Sequence, residues 1–322
     1  MKLRPFGGLI LIAGMAGLGL LLPGWSRFLL TLALARGLLV LGVVLLMQAG
    51  LVSFGQGLFF AAGAYAVGFA VRDLGLRDAL VGVALGAGAG LGIAALTGPL
   101  LARYRGIFFA MLTLAFSMIL YGVLVKAYWI TGGTDGLRIP PPTFLGWSPP
   151  EEHLGSALYL FTLACTAVMV FLIFRYLQSP LGYTVRAIRD NEVRVEYLGL
   201  SVSRALYITV LLVGAMGGLG GALSAMSVGH IDPNLAYWTT SGEFVFVALL
   251  GGTGNVFAPL VGSIVFEFLR TYAYKYIPYT WQMGLGLIML AIVGFAPGGL
   301  WSLYELITRR MSGWMWSWKR GA

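Results

Sequence analysis

The sequence has few charged residues and almost no cysteine or histidine. Only 10% of its 322 residues are charged, whereas a soluble globular domain has about 25%, so that class is excluded. The single cysteine, Cys165, cannot form an internal disulfide, which excludes a disulfide-stabilised fold. The two histidines, His153 and His230, have no second histidine or cysteine at ligand spacing, so we expect no metal site.

Sequence motifs of enzymes are also missing. No glycine-rich P-loop with its lysine is present, and the glycine-rich segment 251–255 lacks that lysine. The chain is therefore not expected to bind ATP phosphates by that route. Ser227 and His230 are close in sequence, but no nucleophile elbow surrounds them. We predict that the chain is not an enzyme and holds no cofactor of its own.

What the sequence does contain is long, continuous apolar runs. Hydrophobic residues make up 59% of the chain, 47 residues are glycine, and the mean hydropathy is +0.87. Outer-membrane barrels show short alternating segments instead. A helix needs about 20 apolar residues to cross a bilayer, so we predict an all-α polytopic membrane protein with one membrane domain over 1–322. It would have about ten transmembrane helices, some short or broken, near 7–22, 28–48, 56–71, 79–101, 107–130, 154–176, 205–229, 241–252, 256–270 and 279–297.

The basic residues predict the orientation of these helices. There are 21 Lys and Arg residues against 12 acidic ones, and most of the basic residues fall on one side if the N-terminus is cytoplasmic. The positive-inside rule then favours both termini in the cytoplasm and explains the net charge without nucleic acid. The loop 131–153 is predicted to be periplasmic, the loop 177–204 cytoplasmic, and the tail 301–322, rich in Trp and Arg, interfacial.

Three ionisable residues and several pairs of glycines within the spans allow specific predictions. Arg36, Glu243 and Glu267 are ionisable residues inside or near the ends of spans. Such residues are candidates for a functional role, but snorkelling towards water or pairing with an opposite charge is the more common explanation at these positions. Glycines four residues apart predict close helix packing. The pairs are Gly82/Gly86, Gly86/Gly90, Gly214/Gly218 and Gly217/Gly221.

The cytoplasmic loop is predicted to contain a helix over 180–199. Ser179 is a good N-cap, Pro180 suits the first helical position, and Gly199 is a good stop. A plain connector needs only a few residues, so a helix that docks into a groove of a partner fits better. Its apolar residues recur at helical spacing on one face: Leu181, Val185, Ile188, Val195 and Leu198. Charged residues occupy the remainder of the helix: Arg186, Arg189, Asp190, Glu192, Arg194 and Glu196.

The stretch 179–204 resembles the cytoplasmic loop of LivM-type permeases, the membrane subunits of ABC importers for branched-chain amino acids. It departs from that pattern at Arg194, Val195 and Tyr197, where the family often has alanine. The residues shared with the family pattern are Arg186, Ala187, Ile188, Arg189, Asn191, Glu192, Glu196, Leu198 and Gly199. Three further stretches are similar to family motifs and follow in the family's order: 51–65, 105–136 and 251–262.

The resemblance implies a mechanism and a set of partners. It implies a permease of the bacterial inner membrane that forms a pore with a second permease subunit. Partner ATPase subunits would bind the ATP, and a periplasmic binding protein would deliver the substrate. The helix over 180–199 would then couple ATP hydrolysis to transport, with Arg186, Arg189, Asp190, Glu192, Glu196 and Gly199 as the candidate coupling residues.

Two segments are candidates for the translocation path. Broken or glycine-rich backbone near the bilayer centre is tolerated where it lines a cavity, although both segments also suit ordinary tight turns. The candidate residues are Ser53, Gly55 and Gln56 in the first segment, and Gly252, Thr253 and Gly254 in the second.

Two alternatives stay open at this point. Importers of urea or short amides use very similar membrane subunits, so the substrate class is less firmly indicated than the architecture. A self-sufficient secondary transporter would instead predict inverted repeats with matching ionisable residues in two halves, and no such pattern is visible in the sequence.

Overall fold

The computed structural model describes residues 14, 15, 17, 19, 21–276, 278–295 and 298–302. This part of the chain is mostly helical, as the apolar runs predict. The predicted span 7–22 lies largely outside the described residues, and so does the predicted interfacial tail 301–322 beyond its first two positions.

Twelve α-helices follow one another in the described part. The first five are α1 (Gly24–Gln48), α2 (Gln56–Leu74), α3 (Ala79–Leu101), α4 (Gly106–Lys126) and the short α5 (Tyr128–Thr131). The next four are α6 (Glu151–Leu177), α7 (Pro180–Asp190), α8 (Glu192–Tyr197) and α9 (Val202–Val228). The last three are α10 (Trp238–Gly251), α11 (Ala258–Tyr276) and α12 (Trp281–Phe295).

These helices coincide with every predicted span from 28–48 onward, but they differ in length and polarity. Six of the described helices are long and apolar enough to cross a membrane: α1, α2, α3, α4, α6 and α9. By contrast, α10 and α12 have only 14 and 15 residues, and α11 carries Glu267, Arg270 and Lys275. A chain that crosses the membrane several times is therefore supported, and the count of ten stays a prediction.

Local signals fix where several helices begin and end. The side chain of Asp78 caps α3 by accepting a hydrogen bond from the Leu80 amide at 2.9 Å, as an N-cap aspartate does. Gly75 ends α2 and Gly229 ends α9, each with a positive φ, a conformation that glycine adopts without a Cβ penalty.

Helix α1 forms the centre of the bundle. Its most apolar window is 94% buried, and it contacts α6, α9, α10 and α11. The corresponding windows of α3 and α4 are only 28% and 22% buried. A helix that is apolar all round belongs in a protein interior or in lipid, so α1 is the internal helix whereas α3 and α4 lie at the periphery.

Helices α2, α3 and α9 cross at glycine residues. A Cβ atom built on Gly90 would lie 2.9 Å from the Cα of Gly218, and one built on Gly218 would lie 3.0 Å from the Cα of Gly90. No side chain fits between backbones this close, so the glycines permit the crossing. The close packing predicted from the glycine spacing is confirmed here.

The bundle has two distinct ends. At one end, which we call the β end, strand β1 (Leu137–Arg138) pairs antiparallel with strand β2 (His230–Ile231). There the phenol of Tyr128 donates a hydrogen bond to Asp135 at 2.8 Å, which raises the pKa of that phenol. At the other end, which we call the α7 end, lie α7 and α8. The two ends are separated by α9, whose 27 residues span about 40 Å.

Candidate coupling and translocation sites

The predicted coupling helix is two helices. The chain breaks at Asn191, which is extended with φ −163° and ψ 103°. The Asn191 side-chain oxygen accepts a hydrogen bond from the Arg194 amide at 3.0 Å and so caps α8. The prediction of one continuous helix over 180–199 is therefore wrong, because an asparagine competes with the helix for backbone hydrogen bonds.

The two predicted boundaries of the segment are confirmed. The Ser179 hydroxyl accepts a hydrogen bond from the Gly182 amide at 3.3 Å, with Pro180 in the first turn. At the other boundary Gly199 has φ +79°, and its amide donates to the Glu196 carbonyl at 2.8 Å. The turn at Gly199 ends the helical segment there.

The predicted apolar face of the segment is only partly buried in this chain. Val185, Ile188 and Val195 are buried against the bundle. Leu181 and Leu198, which belong to the same predicted apolar face, are 37% and 77% exposed. The break at Asn191 changes the direction of the chain, and Leu198 lies beyond the last residue of α8.

Several apolar side chains are exposed on α8 and in the turn that follows it. Tyr197 is 87% exposed, and Leu198, Val193 and Leu200 are also exposed. We call these four residues the α8 apolar patch. Contiguous exposed apolar residues rimmed by charges mark interaction sites, so this patch is a candidate docking surface.

Three of the candidate coupling charges stay accessible on the surface of the α7 end. Arg189, Asp190 and Glu196 are exposed, and none of them forms an ion pair within the described part of the chain. Gly199 is exposed as well. These four candidates share the α7 end with the α8 apolar patch.

The other two candidates, Glu192 and Arg186, hold the segment to the bundle. Glu192 accepts from the Arg105 guanidinium at 2.8 Å, in a pair whose side chains are 27% and 35% exposed. Arg186 donates from Nε to Gln48 at 3.4 Å and lies over the Tyr183 ring. The role of Arg105 has no local signal in the sequence, because 87 positions separate it from Glu192.

The first candidate path segment lies inside the bundle, where α2 begins. Ser53, Gly55 and Gln56 are all buried. A Cβ on Gly55 would lie 2.8 Å from the Thr113 carbonyl oxygen of α4. Phe59, one turn further along α2, contacts Gly217 near the middle of α9. The start of α2 therefore lies about halfway between the two ends of the bundle.

Polar groups of several elements meet at the start of α2. The Ser241 hydroxyl of α10 accepts from the Gly57 amide at 2.9 Å. The Ser117 hydroxyl of α4 donates to the Ala236 carbonyl at 2.8 Å. Gln56 is fully buried, and neither atom of its side-chain amide has a hydrogen-bond partner in the described structure. Such an orphaned group costs about 1–3 kcal/mol, which makes Gln56 the least satisfied residue of the cluster.

The second candidate path segment lies elsewhere. Gly252, Thr253 and Gly254 form the turn between α10 and α11, where Gly252 has φ +93°. Val256, just after this turn, lines one cavity together with Arg186 of α7. The segment thus lies at the α7 end, and the structure does not bring it together with the first segment.

Each ionisable residue flagged inside the spans has an opposite charge as its neighbour. Arg36 of α1 forms an ion pair with Glu267 of α11, whose side chain is 5% exposed. Arg270 of α11 pairs with Glu243 of α10 at 3.4 Å. Pairing is therefore the correct alternative for these residues, and it links α11 to both α1 and α10. The described residues contain no group of three or more His, Cys, Asp or Glu side chains that could hold a metal ion.

Comparison with known proteins identifies the family. The model of the branched-chain amino acid transport system permease component matches residues 27–293. The chain belongs to this family of permeases. The predicted LivM-type resemblance and the predicted transport role are thereby confirmed. No solved structure matches the chain.

The permease is similar to several characterised relatives. It is 30% identical over 297 residues to the high-affinity branched-chain amino acid permease LivM of Escherichia coli K12, covering 84% of this chain and 68% of the relative. The identity to LivM of Salmonella typhimurium is also 30%, over 277 residues that cover 78% of this chain and 64% of that relative. It is 29% identical over 117 residues to the nucleoside ABC transporter permease NupB of Lactococcus lactis, and this match covers 34% of this chain and 31% of NupB. The chain thus spans about two thirds of the LivM relatives, and these relatives are permeases rather than enzymes.

Proposed function

We propose that this permease forms the translocation path of a bacterial inner-membrane ABC importer for branched-chain amino acids, together with a second permease subunit. A periplasmic binding protein delivers the substrate at the β end, and partner ATPase subunits dock at the α7 end, which faces the cytoplasm. The observation that carries this proposal is the α8 apolar patch, an exposed apolar surface on a chain of this permease family. The LivM relatives favour branched-chain amino acids over urea or short amides.

The chemistry of the α7 end fits an ATPase partner. Burial of the α8 apolar patch in a groove supplies the contact area, as in other helix-in-groove complexes. Arg189, Asp190 and Glu196 add exposed charges of both signs to the same end of the bundle, and such charges set register and partner choice. The sequence has no P-loop, so energy must come from a partner at such a surface.

A chain of contacts leads from α8 to the start of α2. Glu192 connects α8 to Arg105 at the start of α4. Further along α4, Thr113 accepts a hydrogen bond from the Phe54 amide at 3.1 Å, beside Gln56. A displacement of α8 therefore reaches the start of α2 through one helix. We infer that ATP-driven motion opens the path there.

The docking part of the proposal is tested by co-purification. The chain would be co-expressed with the ATPase and permease subunits encoded with it, and purified in mild detergent. Leu198→Asp should reduce the recovered ATPase by about tenfold, since a central apolar contact is lost. The matched control is Leu145→Asp, because Leu145 is 82% exposed but lies at the β end. Equal recovery of ATPase with both variants would overturn the proposed dock.

The transport part is tested in proteoliposomes. The full complex with its binding protein should accumulate radiolabelled leucine when ATP is enclosed, and unlabelled isoleucine and valine should compete. Competition by urea or by a nucleoside instead would reassign the substrate. Uptake by the isolated chain without ATPase subunits would contradict the ABC mechanism.

A further inference from the structure

A cavity lies between the end of α6, the start of α7 and the turn before α11. Its volume is about 300 Å³. The residues that line it are Phe174, Leu177, Gln178, Tyr183, Arg186 and Val256. This cavity lies beside the α7 helix, on a different residue set from the α8 apolar patch.

The polar half of the cavity is positively charged. Arg186 is half-buried and forms no ion pair in the part of the chain that the structure describes. Its one hydrogen bond, to Gln48, is long at 3.4 Å. A guanidinium has five donors in a planar fork, so most of them stay available. The amide of Gln178 and the phenol of Tyr183 line the same space. This half suits an anion with several acceptor oxygens.

The other half of the cavity is apolar and continues along α6. Phe174 and Leu177 form this wall. One helical turn before Phe174, Phe171 is 61% exposed, and one turn before that Val168 is 58% exposed. Residues three apart lie on one side of a helix. An exposed apolar track therefore leads from the cavity along α6 towards the middle of the bundle.

We propose that this cavity binds the phosphate headgroup of an anionic phospholipid, with an acyl chain along the α6 track. Basic pockets between transmembrane helices recognise such headgroups, and Arg matches phosphate oxygens bidentately. A free anion would satisfy Arg186 but leave the apolar track uncovered, whereas a phospholipid covers both. The headgroup contacts α7 through Arg186 and so stabilises the position of the coupling segment. Only this last consequence rests on the proposed transport function.

The experiment is native mass spectrometry of the purified complex in detergent, titrated with phosphatidylglycerol or phosphatidylcholine. Wild type should retain phosphatidylglycerol in preference to phosphatidylcholine. Arg186→Gln should reduce phosphatidylglycerol occupancy by about tenfold, as expected for a charge-assisted hydrogen bond. Arg175→Gln is the matched control, because Arg175 is exposed at the end of α6 and does not line the cavity. Equal loss in both variants would overturn the site.

A charge series at Gln178 tests the same site without altering a buried residue. Gln178 is exposed, so both variants should fold. Gln178→Glu places a negative charge beside the phosphate and should weaken phosphatidylglycerol binding, whereas Gln178→Lys should strengthen it. Identical binding by the two variants would contradict the proposal. Displacement of the lipid by millimolar inorganic phosphate would overturn it in favour of a free-anion site. Lipid binding is measured without transport, so failure here is distinguishable from failure of the proposed importer function.

Discussion

The guanidinium of Arg105 lies 2.8 Å from the carboxylate of Glu192. This pair joins the residue before α4 to the first residue of α8 across 87 positions of sequence. Of the described ion pairs, it is the one that connects the coupling segment to a peripheral membrane helix.

Breaking this pair should impair transport modestly. An ion pair that is about a third exposed contributes roughly 0.5–1 kcal/mol to the interaction between the two helices. This free energy is equivalent to a two- to fivefold change in an equilibrium constant. We expect Glu192→Gln to lower ATP-driven leucine uptake by that factor while the ATPase subunits still co-purify. The reversed pair, Arg105→Glu with Glu192→Arg, should recover most of the uptake. Wild-type uptake by Glu192→Gln alone would show that the pair does not transmit motion.

Removing Glu267 should destabilise the protein strongly. Its carboxylate neutralises Arg36 inside the bundle, and an uncompensated buried charge costs about 3 kcal/mol. Glu267→Gln should therefore lower the midpoint of thermal unfolding in detergent. Glu243→Gln is the control and should have a smaller effect, because the Glu243–Arg270 pair is about 30% exposed on both sides. Replacing both Arg36 and Glu267 by Met should restore most of the lost thermal stability. A larger effect of Glu243→Gln would refute this ranking.

The glycine crossing gives a prediction with an internal control. Gly90→Val places a side chain against the backbone of Gly218, and such overpacking costs about 3 kcal/mol. Gly88→Val adds the same side chain on the same helix, where a Cβ atom meets no atom within 4 Å. We expect the yield of folded protein, measured by fluorescence-detected size exclusion, to fall only for Gly90→Val. Similar yields for the two variants would mean that the crossing tolerates separation of α3 from α9.

Gln56 should show opposite effects on stability and on transport. Gln56→Leu removes a buried amide that has no partner in the described structure, so the free energy of unfolding should rise by about 1 kcal/mol. If Gln56 contacts the substrate in the path, uptake should fall about tenfold, the equivalent of roughly 1.4 kcal/mol. Thermal unfolding and proteoliposome uptake measure the two quantities separately. Increased stability with unchanged uptake would remove Gln56 from the path.

Much of the architecture could be predicted because it follows from local patterns. The helices from α1 onward coincide with the apolar runs. Ser179 and Gly199 bound the coupling segment because a serine hydroxyl caps a helix and a glycine adopts a positive φ without a Cβ penalty. The glycine spacing predicts that these helices pack closely, although not that Gly90 of α3 meets Gly218 of α9. Each of these signals lies within a few residues of the feature that it predicts.

The features that could not be predicted depend on residues far apart in sequence, or on a close competition between helix continuation and helix capping. Asn191 stands in a charged, helix-compatible run, and its capping of α8 outweighs helix continuation only in the folded context. The exposure of Leu198 follows from that break. The partners of Arg105 and Arg36 lie 87 and 231 positions away. The two glycine-rich path segments look alike in sequence, yet one lies mid-bundle and the other beside α7.

The backbone contact at Gly90 and Gly218 also determines which parts of the molecule can move. Helices that touch through main-chain atoms have no side-chain layer between them in which to slide or rotate. We therefore expect α2, α3 and α9 to resist sliding and rotation relative to one another, so that a substitution at Gly90 displaces all three helices together.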